Sequence, residues 1–176
     1  MTLPSVLVRP ATVDDVDAIV EVHIRGRIAY YDGFLPPDQL AADNENLRMQ
    51  RQVYARRIGS RGFTVLVAEH ESKMVGFALM GPCHYPDPHP STISELREMY
   101  VDPEQLRTGI GAQLHAGVVA AWQAAAVESA RLWVWEFNQR ARAFYASQGW
   151  ESDGHYRPDD PRMGKHRMLG YLLTIG

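Results

Sequence analysis

Residues 99–112 read Met99-Tyr100-Val101-Asp102-Pro103-Glu104-Gln105-Leu106-Arg107-Thr108-Gly109-Ile110-Gly111-Ala112. The first three residues end a strand-like run, because Asp102-Pro103 cannot continue it, and a helical pattern follows the glycines. Gly109 and Gly111 lack a Cβ, so they tolerate unusual backbone angles and let an anion approach the backbone closely. A helix N-terminus after such a turn presents unpaired N–H groups and the positive end of the helix dipole. The stretch therefore predicts a phosphate-binding turn between a strand and a helix.

Two common phosphate loops are excluded by the residues that follow. A dinucleotide-binding fingerprint would need glycine where the chain has Leu114. A Walker loop would need Gly-Lys-Ser or Gly-Lys-Thr, whereas Gly111 is followed by Ala112-Gln113. Taken alone, the two glycines would indicate only a tight turn.

A second informative segment, residues 132–150, reads Leu132-Trp133-Val134-Trp135-Glu136-Phe137-Asn138-Gln139-Arg140-Ala141-Arg142-Ala143-Phe144-Tyr145-Ala146-Ser147-Gln148-Gly149-Trp150. Asn138 and Tyr145 are seven residues apart, which on a helix is about two turns and ~10 Å along one face. An extended ligand would fit along this face, past Ala141. In the purely structural alternative, Asn138 caps the helix, and Phe144 and Tyr145 are core aromatic residues.

Together these two segments, with Glu95-Leu96 ahead of them, resemble the GNAT superfamily of N-acetyltransferases. A looser likeness extends over residues 24–35. One position departs from the family pattern, because Leu106 stands three residues before the first glycine, where Gln or Arg is usual. The resemblance implies a GNAT-like mixed, mostly antiparallel central sheet flanked by helices, with acetyl-CoA (coenzyme A) as co-substrate and no metal.

The resemblance also implies roles for individual residues. The pyrophosphate of acetyl-CoA would bind at 107–112, Asn138 would contact the amide-bearing arm, and Tyr145 would protonate the departing thiolate. A backbone N–H of residues 99–101 would stabilise negative charge on the thioester oxygen. The implied contacts to acetyl-CoA are made by Met99, Tyr100, Val101, Arg107, Thr108, Gly109, Ile110, Gly111, Ala112, Asn138, Ala141 and Tyr145.

The resemblance implies transfer of an acetyl group from acetyl-CoA to an amine, and two glutamates are candidates for the base that this reaction needs. An alkylammonium with an ordinary pKa near ~10.4 must lose a proton before it attacks a thioester. Strand alternation places Glu95 and Glu98 on opposite faces, and the residues alone do not choose between them. Glu95 matches the acidic position of the family better, so it ranks ahead of Glu98, acting directly or through water. Either carboxylate would alternatively form an exposed ion pair with Arg97.

The patterns of apolar residues and turn residues predict the remaining elements. They are a strand at 6–9, a helix from a Thr12–Asp15 cap to about residue 30, a second helix over 40–58, a hairpin of 63–69 with 74–80, a strand at 93–101, a helix from 109 to about 127, a strand at 131–136, a helix at 138–148 and a last strand within 163–174. This order predicts an α/β or α+β layer with a mixed sheet.

Length and composition indicate one globular domain, an N-acetyltransferase domain over 1–176. The chain has 176 residues, of which 45% are hydrophobic and 22% are charged. The net charge of -3 makes nucleic acid an unexpected partner. Cys83 cannot form an intramolecular disulfide, and neither a secretion signal nor an apolar stretch of ~20 residues is present. We therefore expect a cytoplasmic protein that does not bind membranes.

The acceptor is expected to be an amine of a small molecule or of a protein or peptide. The irregular segments 30–40, 81–92 and 154–164 would surround it, and their aspartates favour a cationic group. These aspartates are Asp32, Asp38, Asp87, Asp159 and Asp160. A homodimer is among the expected assemblies. The alternative function is a catalytically silent acyl-CoA-binding regulatory module, which the loss of Tyr145 or of both glutamates would have favoured.

Residues 83–89 also bring together side chains that can bind metals. They are Cys83, His84, Asp87 and His89, and their spacing matches no tetrahedral pattern in a segment rich in proline. The sequence therefore predicts a solvated loop here and not a metal site.

Overall fold

The computed structural model describes residues 5–84, 93–157 and 166–176. Its helices are α1 (Val16–Tyr31), α2 (Pro37–Met49), α3 (Gln52–Arg57), α4 (Ile110–Ala124) and α5 (Gln139–Ser147), with short 3-10 helices at Val13–Asp15 and Pro103–Gln105. Its strands are β1 (Leu7–Pro10), β2 (Thr64–His70), β3 (Lys73–Gly81), β4 (Ile93–Val101), β5 (Ser129–Trp135), β6 (Glu151–Tyr156) and β7 (Met168–Thr174). Over these described ranges, every helix is too short or too polar to span a bilayer.

The seven strands form one sheet in the order β1-β2-β3-β4-β5-β7-β6. β4 and β5 run parallel, with paired residues from Ile93–Ser129 to Leu96–Leu132. The pairs β1–β2, β2–β3, β5–β7 and β6–β7 are antiparallel. The predicted fold class, a mixed and mostly antiparallel sheet flanked by helices, is therefore confirmed.

The chain divides into two compact units, and β4 and α4 contribute residues to both. The first unit comprises Met1–Met80 with Glu98–Val118, and the second comprises Gly81–Arg97 with Val119–Gly176. The single domain over 1–176 stays a prediction.

The first unit has a core formed by α1 and the β2–β3 hairpin. Ile19, Val67 and Phe77 are fully buried in this core. The hairpin turns at Glu71 and Ser72, whose φ angles are 50° and 62°. Two successive positive φ angles are typical of the type I′ turn, whose twist matches that of the flanking strands. The predicted hairpin is thus present with a two-residue turn.

Two predicted elements differ from the structure. The prediction of a single helix over 40–58 was wrong, because the chain turns at Arg51 and forms two helices, α2 and α3. At this turn the N–H of Arg51 donates to the carbonyl of Arg48, only three residues back, at 3.3 Å. The last strand begins at Met168, and residues 163–165 of its predicted range lie outside the described residues. The sequence does not predict β6, because Glu151–Tyr156 has weak strand character. This strand forms through its pairing with β7.

In the second unit, a buried ion pair joins β5 to β6. Nη2 of Arg131 lies 2.6 Å from Oδ2 of Asp153, and the two side chains are 1% and 6% exposed. The Arg131 guanidinium also packs over the ring of Trp133 at 4.7 Å. Burial acts to raise the pKa of Asp153, but the backbone N–H of His155 and the charge of Arg131 outweigh it and lower this pKa below its ordinary value. The carboxylate therefore stays ionised and paired at neutral pH.

Gly170 on β7 leaves the space that this ion pair needs. A Cβ at this position would lie 2.5 Å from Oδ1 of Asp153 and 2.8 Å from Nη1 of Arg131. We expect Gly170→Ala to displace the pair and to lower the free energy of unfolding by about 2 kcal/mol or more. Urea unfolding measures this loss. The control, Thr174→Ala at the exposed end of β7, should change stability by less than about 0.5 kcal/mol; equal stability of Gly170→Ala and wild type would contradict the role given to Gly170.

Candidate active site

The turn between β4 and α4 has the backbone geometry that its sequence predicts for an anion site. Arg107 and Gly109 have φ angles of 64° and 90°, so the backbone is left-handed on both sides of Thr108. The first internal hydrogen bond of α4 runs from the N–H of Gln113 to the carbonyl of Gly109 at 3.1 Å. The preceding N–H groups of the first turn therefore have no acceptor inside the helix, and the helix dipole favours an anion beside them.

Asp102 fixes the start of this turn at the end of β4. Its backbone N–H donates to the carbonyl of Val75 at 2.8 Å, and its carboxylate accepts from the N–H of Glu104 at 3.2 Å. The carboxylate also accepts from Nη2 of Arg25 on α1 at 2.6 Å. Asp102 thus joins the strand end, the 3-10 turn and α1 through one residue.

Glu98 ends a chain of polar side chains that begins inside the first unit. The Tyr54 hydroxyl lies 2.5 Å from Oε2 of Glu98 and 2.6 Å from Nδ1 of His23. Nη1 of Arg57 lies 3.6 Å from Oε1 of Glu98. The Glu98 side chain is 23% exposed, whereas Tyr54 is only 2% exposed. This chain of hydrogen-bonded side chains therefore connects the core, at His23, with the partly exposed carboxylate of Glu98.

Aromatic rings enclose the inner end of this chain. The His23 ring is 4.4 Å from that of Tyr100 and 5.6 Å from that of Phe77, measured between centroids. Burial, with a smaller contribution from the charge of Arg27, lowers the pKa of His23 to about 3. Burial and the nearby Glu98 carboxylate raise the pKa of Tyr54. Both His23 and Tyr54 are therefore neutral near pH 7.

In the second unit, Asn138 caps the N-terminus of α5. Its Oδ1 accepts from the backbone N–H of Ala141 at 3.0 Å, and the residue is 8% exposed. The capping alternative considered from the sequence is therefore confirmed. It leaves the role of Asn138 toward a ligand as a separate proposal.

Tyr145 lies two helical turns beyond Asn138 in an aromatic cluster. Its ring is 6.0 Å from Trp150 and 5.4 Å from Phe144, both edge-on. Burial raises the pKa of Tyr145, because the phenolate would be poorly solvated in this environment. The hydroxyl therefore keeps its proton well above neutral pH and can act only as a donor of that proton or as a neutral acceptor.

Glu95 is buried in the second unit and holds the backbone that follows β3. Its Oε2 accepts from the N–H of His84 at 2.7 Å. The imidazole of His84 in turn lies 2.9 Å from Nη2 of Arg97, measured from Nδ1. The Glu95 carboxylate thus has an evident structural task.

The predicted site residues are distributed between the two units. The first unit contains Glu98, residues 99–101 and residues 107–112, and the second contains Glu95, Asn138, Ala141 and Tyr145. Parts of the predicted acceptor segments lie outside the described residues, namely 85–92 and 158–165, which include Asp87, His89, Asp159 and Asp160. Across 5–84, 93–157 and 166–176, no group of three or more His, Cys, Asp or Glu side chains could hold a metal ion.

The sequence did not identify His23 and Tyr54 as partners of Glu98. Both residues follow the helical spacing of the buried residues in α1 and α3, which is the position of ordinary core residues.

Comparison with known proteins identifies the family. Residues 61–152, just over half of the chain, match the family model of the acetyltransferase (GNAT) domain. The chain therefore belongs to the GNAT acetyltransferase family, as the two sequence segments predicted.

Individual relatives are similar to this chain in sequence or in fold. An uncharacterized N-acetyltransferase from Archaeoglobus fulgidus is 36% identical over 84 residues, 48% of this chain; the match spans only 57% of that relative's length. The solved structure of PaiA N-acetyltransferase from Thermoplasma acidophilum in complex with coenzyme A is similar with a TM-score of 0.75 and 18% identity, over 94% of this chain and 98% of that chain. The ribosomal-protein-alanine N-acetyltransferase from Brucella melitensis is similar with a TM-score of 0.70 and 25% identity, over 96% and 99%.

The low pKa of His23 predicts that the protein loses stability as the solution becomes acidic. The unfolded chain binds a proton at this residue below about pH 6.5, whereas the folded chain does so only near pH 3. The contribution of His23 to the free energy of unfolding is therefore complete above pH 6.5. Below pH 6.5 it falls by up to about 1.4 kcal/mol per pH unit. Burial lowers the pKa of His115 as well, which adds to the fall.

Urea unfolding at pH 7.5, 6.0 and 5.0 measures this loss. His23→Gln should flatten the dependence on pH, whatever it does to stability at pH 7.5. A free energy of unfolding that is constant or rises between pH 7.5 and 5.0 would contradict the prediction.

Proposed function

We propose that this protein is an acetyl-CoA-dependent N-acetyltransferase acting on a primary amine of a small molecule, protein or peptide. The turn at 107–112 carries the proposal, because two left-handed residues before the first turn of α4 give a backbone that suits an anion. The two structural relatives named as N-acetyltransferases, one of them in complex with coenzyme A, support the same activity. Tyr145 and both glutamates are present, which weighs against a catalytically silent acyl-CoA-binding module.

The donor groups at this turn fit a pyrophosphate. They are mainly backbone N–H groups of residues 107–112, so the presence of Leu106 in place of the usual Gln or Arg removes little of the binding. The Arg107 side chain is exposed and adds a positive charge at the same turn. We propose further contacts from Asn138 and Ala141 to the pantetheine arm and from the backbone of residues 99–101 to the thioester oxygen.

Tyr145 is proposed as the proton donor to the departing sulfur. The amine nitrogen forms a bond to the thioester carbon, the C–S bond breaks, and the thiolate takes the hydroxyl proton of Tyr145. The hydroxyl carries its proton near neutral pH, which this role requires, although burial also makes it a weaker acid by raising its pKa. Solvent then returns the proton to the phenolate.

Glu98 is proposed as the base that takes a proton from the ammonium of the acceptor. The family resemblance ranks Glu95 first, but Glu95 is buried and accepts the backbone N–H of His84. Glu98 is half-buried, so its carboxylate can exchange protons with an acceptor and with solvent. The nitrogen loses its second proton to solvent. The overall products are the N-acetylated amine, coenzyme A and one net proton.

A direct screen of amines would identify the class of acceptor. The probes are n-butylamine, putrescine, glycinamide and trialanine, incubated with acetyl-CoA while free thiol is measured. Thiol release that depends on the amine supports the enzyme, whereas acetyl-CoA binding without release for any amine supports the silent module. A cytoplasmic location and a homodimer stay predictions from the sequence.

Gly111→Val tests the pyrophosphate site. A branched side chain in the first turn of α4 should block close approach of an anion to the backbone, and we expect acetyl-CoA affinity to fall at least about tenfold. Isothermal titration calorimetry measures the affinity. Ala116→Val, exposed on the same helix, is the control for the helix cost of valine and should bind as wild type does. Unchanged affinity in Gly111→Val would remove the pyrophosphate site from this turn.

Tyr145→Phe tests the proton donor. The ring and its packing remain, so melting temperature and acetyl-CoA affinity should be nearly unchanged, while kcat should fall by about 10²-fold or more. Tyr156→Phe, an exposed tyrosine in the same unit, is the matched control and should keep full turnover. A Tyr145→Phe enzyme with wild-type kcat would mean that another group protonates the sulfur.

A further inference from the structure

The hydrogen-bond chain His23–Tyr54–Glu98 has a direction that the chemistry of its three groups determines. Near neutral pH an ionised carboxylate only accepts hydrogen bonds, so the single proton of the Tyr54 hydroxyl is donated to Oε2 of Glu98. The oxygen of Tyr54 is then the acceptor for His23, at 2.6 Å from Nδ1. Nδ1 must therefore carry the proton, and the buried neutral ring leaves Nε2 without one.

We propose that His23 and Tyr54 are positioning residues that hold the Glu98 carboxylate ionised and oriented to take a proton from the acceptor amine. This inference rests on the proposed function and deepens it, because it assigns two residues on α1 and α3 to a role in the reaction. Neither residue touches the substrate in this proposal. Both act through Oε2 of Glu98.

The charged and titratable groups around Glu98 agree with this arrangement. From α3, Arg57 lies 3.6 Å from Oε1, and its charge favours the carboxylate. From α1, His23 and Arg27 face the chain, and Arg27 disfavours a second positive charge on His23. From β4, Tyr100 packs against the His23 ring. Arg57 therefore favours the ionised form of Glu98, whereas burial and Arg27 favour the neutral form of His23.

The geometry also shows why apolar packing alone does not account for the chain. Tyr54 and His23 are 2% and 7% exposed, and each contacts Phe77. A phenylalanine at position 54 would fill the same space without a buried hydroxyl that needs partners. The polar atoms of this chain are instead aligned on one oxygen of one partly exposed carboxylate.

Removing the Tyr54 hydroxyl should therefore change proton chemistry and not only stability. Tyr54→Phe withdraws a hydrogen bond from the ionised form of Glu98, so the acidic limb of the pH profile of kcat/KM should move to higher pH by about one unit. At pH 6.0, kcat/KM should fall about tenfold, with a smaller loss at pH 8.5. His23→Leu should move the limb in the same direction, and His23→Asn, which retains an N–H donor, should restore part of it.

The kinetic experiment uses the full chain with the most active of n-butylamine, putrescine, glycinamide and trialanine. Phe77→Leu is the matched control, because it disturbs the same aromatic cluster without removing a polar atom. It should lower the melting temperature and leave the pH profile in place. Glu98→Gln should abolish the acidic limb, and Glu95→Gln should retain it.

A second measurement on the same proteins does not require activity. Long-range proton–nitrogen NMR of the histidine-labelled protein reports which ring nitrogen of His23 is protonated. We expect Nδ1–H in wild type and a change of tautomer or of nitrogen shift in Tyr54→Phe. Nε2–H in the wild-type ring would overturn the inferred direction of the chain.

The outcomes separate this inference from the proposed function. If wild type acetylates none of the four amines, the proposed function fails, and the NMR result still decides the hydrogen-bond chain. If wild type is active but Tyr54→Phe keeps the wild-type pH profile, or shifts it no more than Phe77→Leu does, the positioning role is overturned and the activity stands.

Discussion

The hydrogen-bonding pattern of β4 constrains the chemistry more than any other single feature. Its parallel ladder with β5 extends from Ile93 to Leu96, and its last residue precedes Asp102, which is bonded to Val75 and Arg25. Within this one strand, alternation decides which glutamate is buried beside His84 and which reaches Tyr54. The turn proposed to bind an anion, the proposed base and the backbone proposed to contact the thioester all depend on where β4 begins and ends.

The elements that the sequence predicted well are those whose ends are marked by nearby proline, glycine or capping residues. β4 ends before Asp102-Pro103, α4 follows the glycine turn, and α5 is closed by Gly149 with a φ of 88°. These signals lie within a few residues of the boundary that they set, so they can be read without knowledge of the fold. The same property made the family resemblance visible, because both of its segments are short and continuous.

The elements that escaped prediction depend on distant partners. The break between α2 and α3 occurs inside a run of residues at helical spacing that continues across it, so periodicity alone predicts one helix. β6 exists because β7 pairs with it and because Asp153 has a buried cation to meet on β5. In the candidate site, Tyr54 is 44 residues from Glu98 and 31 from His23, and no local pattern links residues at such separations.

The positive φ of Arg107 has a consequence for how this protein would respond to selection for stability. A residue with a side chain in this conformation costs on the order of 1 kcal/mol relative to glycine, so glycine would relieve the strain at position 107. The chain instead keeps an exposed guanidinium at the mouth of its proposed anion site. Selection for heat resistance would therefore favour glycine at position 107, whereas the proposed binding of the acyl donor favours arginine, so the two requirements conflict at this residue.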